Sequence, residues 1–151
     1  MSSHTQSDTN FFVKFKKTHP DAVLPDHKND TDTGYDLTAV RDVIIPAKGF
    51  AIVPTGIQVA DVSKGIWYLV LPRSGLGFKH SIQPHLGVID NGYRSDLGLK
   101  LYNFSDITYQ VKKGDRVGQL AFYPLITPKS SWSDEITDTA RGGNGFGSTG
   151  R

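Results

Sequence analysis

The chain of 151 residues contains no cysteine. This absence excludes disulfides and thiolate metal sites, and it leaves only histidine and carboxylate side chains for metal chemistry. The five histidines show no metal-ligand spacing, so we expect no zinc site built by the protein. The chain also lacks a large excess of either charge, because 17 basic and 15 acidic residues leave a formal net charge of +2. That balance does not indicate a general binder of polyanions such as nucleic acid.

Long apolar runs are missing as well. One of the longest, Ile66–Leu71, is far shorter than the ~20 residues that a membrane-spanning helix needs. The first ten residues are polar and show no apolar segment behind a basic start, so we expect no signal peptide. These absences predict a soluble, cytoplasmic protein without a membrane partner.

Short segments rich in β-branched and aromatic residues dominate the chain, and Pro or Gly separates most of them. They recur at intervals of roughly 8 to 15 residues and no long stretch has a helical period, which predicts an all-β barrel or sandwich. The length fits a single domain. The predicted strands are 12–16, 43–45, 50–53, 57–59, 66–71, 97–101 and 117–123, with a short helix at 74–80 capped by Ser74 and a further helical turn at 134–139.

The two ends differ in composition from the middle. Residues 1–10 are predicted to be a disordered polar arm and residues 11–140 a single β domain. Residues 141–151 are rich in glycine and cannot bury enough apolar surface to order themselves, which is typical of an inert tail. The opposing interpretation is a lid, because glycines let backbone amides approach an anion and Phe146 offers a flat face for stacking.

The stretch from residue 87 to residue 103 predicts a β-hairpin that carries a site. An apolar run stops at Asp90, turns on Asn91-Gly92 and resumes as alternating leucines, and Asn-Gly is a strong hairpin signal. Asp90 and Tyr93 would then face each other across a small opening suited to a planar or sugar-like ligand. An Asp before Asn-Gly is also a common turn former that bonds to its own backbone, so the local sequence leaves both interpretations open.

Three further turns carry candidate functional groups. Pro72-Arg73-Ser74-Gly75 joins a predicted strand to the short helix, so amides, a hydroxyl and a guanidinium converge on a possible anion site. Gly114-Asp115-Arg116 precedes a strand that carries Gln119, and a structural salt bridge is its default interpretation. In Thr33-Gly34-Tyr35-Asp36 a carboxylate after a glycine turn can face a metal, although stabilising the turn is the simpler role.

Five motifs, taken in order, resemble those of the trimeric dUTPase family. They are Gly-Tyr-Asp-Leu at 34–37, Arg-Ser-Gly-Leu-Gly at 73–77, Gly-Val-Ile-Asp-Asn-Gly-Tyr-Arg at 87–94, Gly-Asp-Arg-Val-Gly-Gln-Leu at 114–120, and Arg-Gly-Gly-Asn-Gly-Phe-Gly-Ser-Thr-Gly at 141–150. The third and the fifth are highly specific. The resemblance implies a jelly-roll-like β-fold, a homotrimer that exchanges C-terminal arms, and Mg²⁺-assisted hydrolysis of dUTP to dUMP and pyrophosphate. Such an activity keeps uracil out of DNA and supplies dUMP for dTMP synthesis.

The resemblance also implies roles for individual residues. Asp90 would be the general base that activates the attacking water, Tyr93 would pack on the deoxyribose, and Asp36 would act through water around a Mg²⁺ held mainly by the substrate phosphates. The other implied substrate contacts fall into three groups. The phosphates would be held, from a neighbouring subunit, by Arg73, Ser74 and Gly75 with help from Gln119. Uracil would be recognised by the backbone near Gly87, Val88 and Gly98 and stacked on by Phe146, while the lid over a neighbouring subunit's phosphates would consist of Arg141, Gly147, Ser148 and Thr149.

Three positions depart from the family pattern. Thr33 stands where Ala or Ser is common, Ser95 where Gly is usual, and Pro84 where some members have Asn; none of the three changes removes a group assigned to chemistry. The alternatives to dUTP hydrolysis are a dCTP deaminase of related fold, a nucleotide-dependent switch for a regulatory protein partner, and a purely structural β-sandwich. The intact motif from Asp90 to Tyr93 favours dUTP hydrolysis, and a purely structural protein leaves five ordered motifs unexplained.

Overall fold

Antiparallel pairing of short strands builds the fold. The structure is a computed structural model that describes residues 11–145; the predicted N-terminal arm and residues 146–151 lie outside this range. Within it there are eleven strands and one helix. They are β1 (Val13–Lys17), β2 (Tyr35–Thr38), β3 (Val43–Ile45), β4 (Phe50–Val53), β5 (Ile57–Val62), β6 (Ile66–Leu71), α1 (Ser74–His80), β7 (Ile82–Pro84), β8 (Val88–Ile89), β9 (Leu99–Asn103), β10 (Tyr109–Val111) and β11 (Arg116–Pro124).

The strands form four antiparallel sheets. One sheet has the order β2-β11-β6-β8 and another the order β4-β9-β7, while β1 pairs with β5 and β3 with β10. Neighbours in the two larger sheets are far apart in sequence, so the chain crosses repeatedly from one sheet to another. The predicted all-β class with one short helix is therefore confirmed. In residues 11–145 no helix combines the length and hydropathy that a membrane crossing requires.

The core lies between the sheets and is made of inward-facing side chains at every second strand position. In β9, for example, Leu99 and Leu101 are buried while Lys100 and Tyr102 between them are partly exposed, as the two-residue repeat of a strand requires. Each fully buried aliphatic side chain contributes about 1.5–3 kcal/mol to folding. The largest fully buried side chains are Tyr68, Leu37, Ile45, Ile82, Leu99, Leu101 and Leu120.

Helix α1 forms over the predicted residues but not with the predicted cap. The residue before the helix is Arg73, and no side chain caps the first turn. Ser74 is instead the first helical residue. The helix ends at His80. The next residue, Ser81, has a left-handed backbone, and its N–H donates to the carbonyl of Gly77.

The helical turn predicted at 134–139 is wrong. Residues 125–145 are all exposed and carry no helix or strand, and the side chains of Trp132 and Ile136 are almost completely exposed. A short helix gains most of its stability from packing an apolar face on a core. This segment has no such contact within the described part of the chain, so its local propensity is not enough.

The hairpin predicted around Asn91-Gly92 is also wrong, although its turn forms. The N–H of Tyr93 donates to the carbonyl of Asp90 over 3.0 Å and closes the turn. The flanking strands do not pair with each other, because β8 pairs with β6 and β9 pairs with β4 and β7. After the turn the chain bonds to β5 instead, where the N–H of Leu97 donates to the carbonyl of Ile57 over 3.0 Å. The turn therefore joins two different sheets.

Candidate active site

Two cavities contain most of the predicted site residues, and they have no lining residue in common. The first, here called the turn cavity, has a volume of about 300 Å³ and is lined by Val70, His85, residues 87–90, Tyr93 and residues 96–100. The second, here called the arginine cavity, has a volume of about 510 Å³ and is lined by Lys28, residues 31–34, Asp36, Arg73, Ser74, Arg116 and Gln119.

The turn cavity brings the predicted carboxylate and aromatic ring together. Asp90 follows β8 directly and is exposed, and Tyr93 is 39% exposed on the other side of the turn. The hydroxyl of Tyr93 donates to the carbonyl of Asp96 over 2.8 Å, which fixes the ring against its own loop. Gly87, Val88 and Gly98 line the same space, so backbone N–H and C=O groups border the cavity.

Side chains that the sequence analysis missed hold this turn in place. The amide of Asn91 donates to the carbonyls of Ser63 and Ile66, each over 2.8 Å, and so ties the turn to the ends of β5 and β6. Arg94 donates to the carbonyl of Asn91 over 2.6 Å and to that of Tyr93 over 3.0 Å. The sequence signalled Asn91 only as a turn former. Its anchoring role depends on a distant part of the chain.

Beneath the turn lies a buried phenol. Tyr68 is fully buried and sits opposite Ile89 in the pairing of β6 with β8. Burial raises the pKa of Tyr68 to about 12, because a charged phenolate is poorly solvated there. Within residues 11–145 its hydroxyl has no hydrogen-bond partner.

The arginine cavity is organised by the order of strands in one sheet. Gln119 of β11 lies opposite Asp36 of β2 on one side and opposite Leu71 of β6 on the other. Arg73 follows β6 and Arg116 begins β11. Three motifs that are far apart in sequence therefore meet because their strands are neighbours.

Asp36 is paired with both arginines of this cavity. One of its carboxylate oxygens lies 3.6 Å from Nε of Arg73, and the other lies 3.6 Å from Nη1 of Arg116. All three side chains are partly exposed, so solvent weakens each ion pair. The arrangement nevertheless aims two guanidinium groups into one space, which suits a ligand with several anionic oxygens.

The side chain of Gln119 is held between Gly34 and the loop that carries Arg73. Its amide donates to the carbonyl of Pro72 over 2.8 Å, directly before Arg73. A Cβ atom added at Gly34 would overlap the Gln119 side-chain oxygen. The glycine in the first motif is therefore needed for a close approach of side chain to backbone.

The described residues contain no cluster of three or more His, Cys, Asp or Glu side chains able to hold a metal. A Mg²⁺ bound by the protein alone does not fit this donor set. The carboxylates of Asp32 and Asp36 do line the arginine cavity. These two carboxylates would fit a Mg²⁺ that the phosphates of a ligand hold and that meets the protein through water.

The remaining predicted residues lie elsewhere. Gly75 lines a third cavity of about 380 Å³ together with His80 and Tyr109. Arg141 borders none of the three cavities, and its guanidinium donates to the carbonyls of Asn144 and Gly145 over 3.0 and 3.3 Å. Phe146, Gly147, Ser148 and Thr149 lie outside the described residues.

Within one chain, Asp90 and Arg73 lie towards opposite ends of β6. Because Ile89 pairs with Tyr68, Asp90 lies near Trp67. Arg73 follows Trp67 by six residues, and an extended chain that rises about 3.3 Å per residue spans roughly 20 Å over that distance. Most of the length of β6 therefore separates Asp90 from Arg73 within one chain.

The fold defines the class of this protein, which is a jelly-roll-like β protein. One of its cavities contains a carboxylate and an aromatic ring, and another contains paired arginines. The dUTPase family model matches residues 21–150. The deoxyuridine 5'-triphosphate nucleotidohydrolase of Arabidopsis thaliana is 42% identical over 97% of this chain and 88% of its own length. The chain belongs to the dUTPase family.

Solved structures agree with this assignment. The dUTPase of Staphylococcus bacteriophage 80alpha with dUPNHPP has a TM-score of 0.84 and 27% identity, covering 93% of this chain and 99% of its own. A mutant dUTPase from phage phi11 of S. aureus, described as showing the coordination of a structural Mg(II) ion, has a TM-score of 0.74 and 25% identity, covering 83% of this chain and 98% of its own.

Proposed function

We propose that this protein is a dUTP diphosphatase that hydrolyses dUTP to dUMP and pyrophosphate in a site shared between copies of the chain. The observation that carries the proposal is the distribution of the family's motifs. The third motif forms a cavity with a carboxylate and an aromatic ring, and the first, second and fourth motifs form a cavity with two arginines. The first suits a nucleoside and the second suits phosphates.

In the turn cavity, Tyr93 packs against the deoxyribose, and backbone groups of Gly87, Val88 and Gly98 pair with uracil. A ring held this close leaves no partner for a ribose 2′-hydroxyl, and an unpaired buried hydroxyl costs about 1–3 kcal/mol. Backbone groups matched to uracil would be left unpaired by cytosine, and a narrow space excludes the methyl group of thymine. The cavity therefore selects dUTP over UTP, dCTP and dTTP.

Asp90 acts as the general base. Its exposed carboxylate stands at the rim of the turn cavity, where a water held within about 2.6–3.2 Å can give up a proton as it attacks the α-phosphate. The side chain does not itself attack. Water becomes part of dUMP, and pyrophosphate is the leaving group.

In the arginine cavity, Arg73, Ser74 and Gln119 bind the phosphates, with Gly75 beside them. Bound Mg²⁺ supplies further neutralisation of the phosphate charge. Asp36 holds Arg73 and Arg116 in position and would meet a phosphate-bound Mg²⁺ through water. Phosphoryl transfer needs positioning and charge stabilisation more than covalent help, and these residues provide both.

The site is completed by a homotrimer. About 20 Å separate Asp90 from Arg73 along β6, which supports a site in which the arginine cavity of one subunit meets the turn cavity of another. The exposed segment at 125–145, with the bare side chains of Trp132 and Ile136, fits an arm that packs on a further subunit and brings Arg141 and Phe146 over its site as a lid. A cytoplasmic location stays a prediction.

The activity is tested by incubating the protein with each nucleotide in the presence of Mg²⁺. We expect pyrophosphate and dUMP from dUTP and no turnover of dTTP, dCTP or UTP. Asp90→Asn should still bind a nonhydrolysable dUTP analogue, while turnover falls by about 10²–10⁴-fold because the base is lost. Asp61→Asn, an exposed carboxylate outside the three cavities, is the matched control and should retain wild-type turnover. Near wild-type turnover of Asp90→Asn would exclude Asp90 as the base, and release of ammonia from dCTP would indicate a deaminase.

Mixing two inactive variants tests the shared site. Asp90→Asn and Arg73→Ala chains should each be inactive alone, but random mixed trimers unite an intact Asp90 with an intact Arg73 in about a quarter of their sites. Co-refolding should therefore restore activity towards that fraction. If the mixture stays as inactive as its components, the site is built within one chain and the trimeric proposal fails.

A further inference from the structure

A loop in front of the first motif forms one wall of the arginine cavity. This loop, residues 26–33 and here called the Lys28 loop, contributes Lys28, Thr31, Asp32 and Thr33 to the lining. Building on the proposed function, we propose that Lys28 binds a distal phosphate of dUTP, beyond the α-phosphate, and so discriminates the triphosphate from dUMP.

The charge of the cavity points to Lys28. The lining has three basic side chains, Lys28, Arg73 and Arg116, and two acidic ones, Asp32 and Asp36, which leaves a formal charge of +1. Both arginines are already paired with Asp36. Within residues 11–145 the ammonium of Lys28 makes neither an ion pair nor a hydrogen bond. It is thus the cation of this cavity that is available to a ligand without breaking an existing pair.

The Lys28 loop is held in place by contacts that do not use the lysine. The N–H of Asp36 donates to the carbonyl of Asp26 over 3.2 Å, which ties the start of the loop to the first motif. The rings of His27 and Tyr35 meet edge to face with centroids 4.8 Å apart. Lys28 therefore follows two anchored residues directly.

The carboxylate of Asp32 is also engaged. It accepts hydrogen bonds from the backbone N–H and the side-chain amide of Asn29, both over 3.1 Å, and the N–H of Asp32 donates back to the carbonyl of Asn29 over 2.9 Å. This closed turn keeps the carboxylate of Asp32 occupied. As a result, the lysine does not have to leave a partner in its own loop when an anion binds.

The position of the loop indicates which phosphate it meets. In the proposed reaction, water activated by Asp90 attacks the α-phosphate, so this phosphate has to lie beside the turn cavity. The arginine cavity is lined by polar residues and glycine, without an aliphatic or aromatic side chain, so it suits the charged phosphate chain rather than the nucleoside. A lysine ammonium is a compact point charge with three donors, suited to a terminal phosphate that presents several oxygens.

Binding measurements with Lys28→Ala and Lys28→Arg test this inference. The ligands are a nonhydrolysable dUTP analogue, dUMP and inorganic triphosphate, and Lys64→Ala, an exposed lysine outside the three cavities, is the control. Lys28→Ala should weaken the dUTP analogue and inorganic triphosphate about three- to tenfold and leave dUMP within twofold, roughly, of the wild type. Lys28→Arg should keep most of the affinity, and added salt should shrink the difference because it screens the ammonium.

Steady-state kinetics provide a second measurement. KM for dUTP should rise in Lys28→Ala while kcat stays close to the wild-type value, since the lysine does not touch the reacting atoms. Equal weakening of dUMP and the dUTP analogue would mean that the substitution disturbs the loop in general. Unchanged binding of all ligands would mean that Lys28 contacts no phosphate. Either result overturns the inference. Failure of the wild type to bind or hydrolyse dUTP refutes the proposed function instead, whereas the effect on inorganic triphosphate reports on Lys28 alone.

Discussion

Replacing Gly34 by alanine should displace Gln119 and loosen the loop that carries Arg73. A Cβ at position 34 would overlap the side-chain oxygen of Gln119, and it would lie 2.5 Å from Cδ and 3.1 Å from Cβ of the same residue. The backbone is not the obstacle, because Gly34 is not among the glycines with positive φ. Gln119 therefore has to rotate away and lose its hydrogen bond to the carbonyl of Pro72.

The structure sets the size of the effect. Losing one such hydrogen bond costs about 0.5–1.5 kcal/mol, and holding a side chain away from its preferred rotamer costs about 0.5–1.5 kcal/mol. Against this, replacing glycine by alanine lowers the conformational entropy of the unfolded chain. Where the native backbone accepts alanine, this stabilises the folded state by about 0.4–1 kcal/mol. Gly34→Ala should therefore lower the free energy of unfolding by about 1 kcal/mol. KM for dUTP should also rise, because the lost hydrogen bond holds the carbonyl of Pro72 and Pro72 directly precedes the proposed phosphate ligand Arg73.

Urea unfolding at a fixed protein concentration measures this in the wild type, Gly34→Ala, Gln119→Ala and the double variant. Fixed concentration is needed because assembly adds to apparent stability. Once Gln119 is alanine, the overlapping oxygen and Cδ are gone, so Gly34→Ala should then cost little or become stabilising. We expect a coupling free energy of about 1 kcal/mol between the two positions. An equal cost of Gly34→Ala in both backgrounds would refute the argument, because Gln119 would then not be what excludes a side chain at position 34.

The buried phenol of Tyr68 and the C-terminal arm give two further predictions. Because the pKa of Tyr68 is raised from 10.0 to about 12 in the folded protein, its contribution to stability is complete below pH 10 and is lost as the pH rises towards 12, a loss of up to about 2–3 kcal/mol. Urea unfolding of Tyr68→Phe should lack this part of the decline; an identical decline would assign it to other groups. Truncation after Ala140 should leave the oligomer intact in sedimentation but lower kcat/KM for dUTP, and unchanged turnover would identify residues 141–151 as an inert tail.

Regular strands and the short helix were predictable because their signals are local. The apolar runs at Val43–Ile45, Phe50–Val53 and Ile66–Leu71 are strands with the predicted bounds, and α1 is the predicted helix. Each of these three strands contains β-branched residues and has Pro or Gly at a border. The helical turn at 134–139 failed because its stability depends on a packing partner, which local sequence does not reveal.

The predicted hairpin failed for a related reason. Asn91-Gly92 specifies a tight turn, and the turn forms, but the choice of pairing partner for each flanking strand is not local. β8 is taken by β6, and the chain after the turn bonds to β5. An Asn-Gly pair thus predicts that the chain reverses direction. Which strands pair on either side of the turn is decided by tertiary contacts.

Of the candidate site, the motifs could be found from the sequence, but their division into two cavities could not. The strand order β2-β11-β6-β8 brings Asp36, Gln119 and the start of the Arg73 loop together at one end of β6. β8 pairs further back along β6, at Tyr68 and Leu69, so Asp90 stands at the other end. A strand cannot bring its two ends together, and the same sheet that assembles the arginine cavity therefore separates it from Asp90. The two ends of β6 thus carry different parts of the predicted site, and this division depends on strand pairing, which the motifs do not reveal.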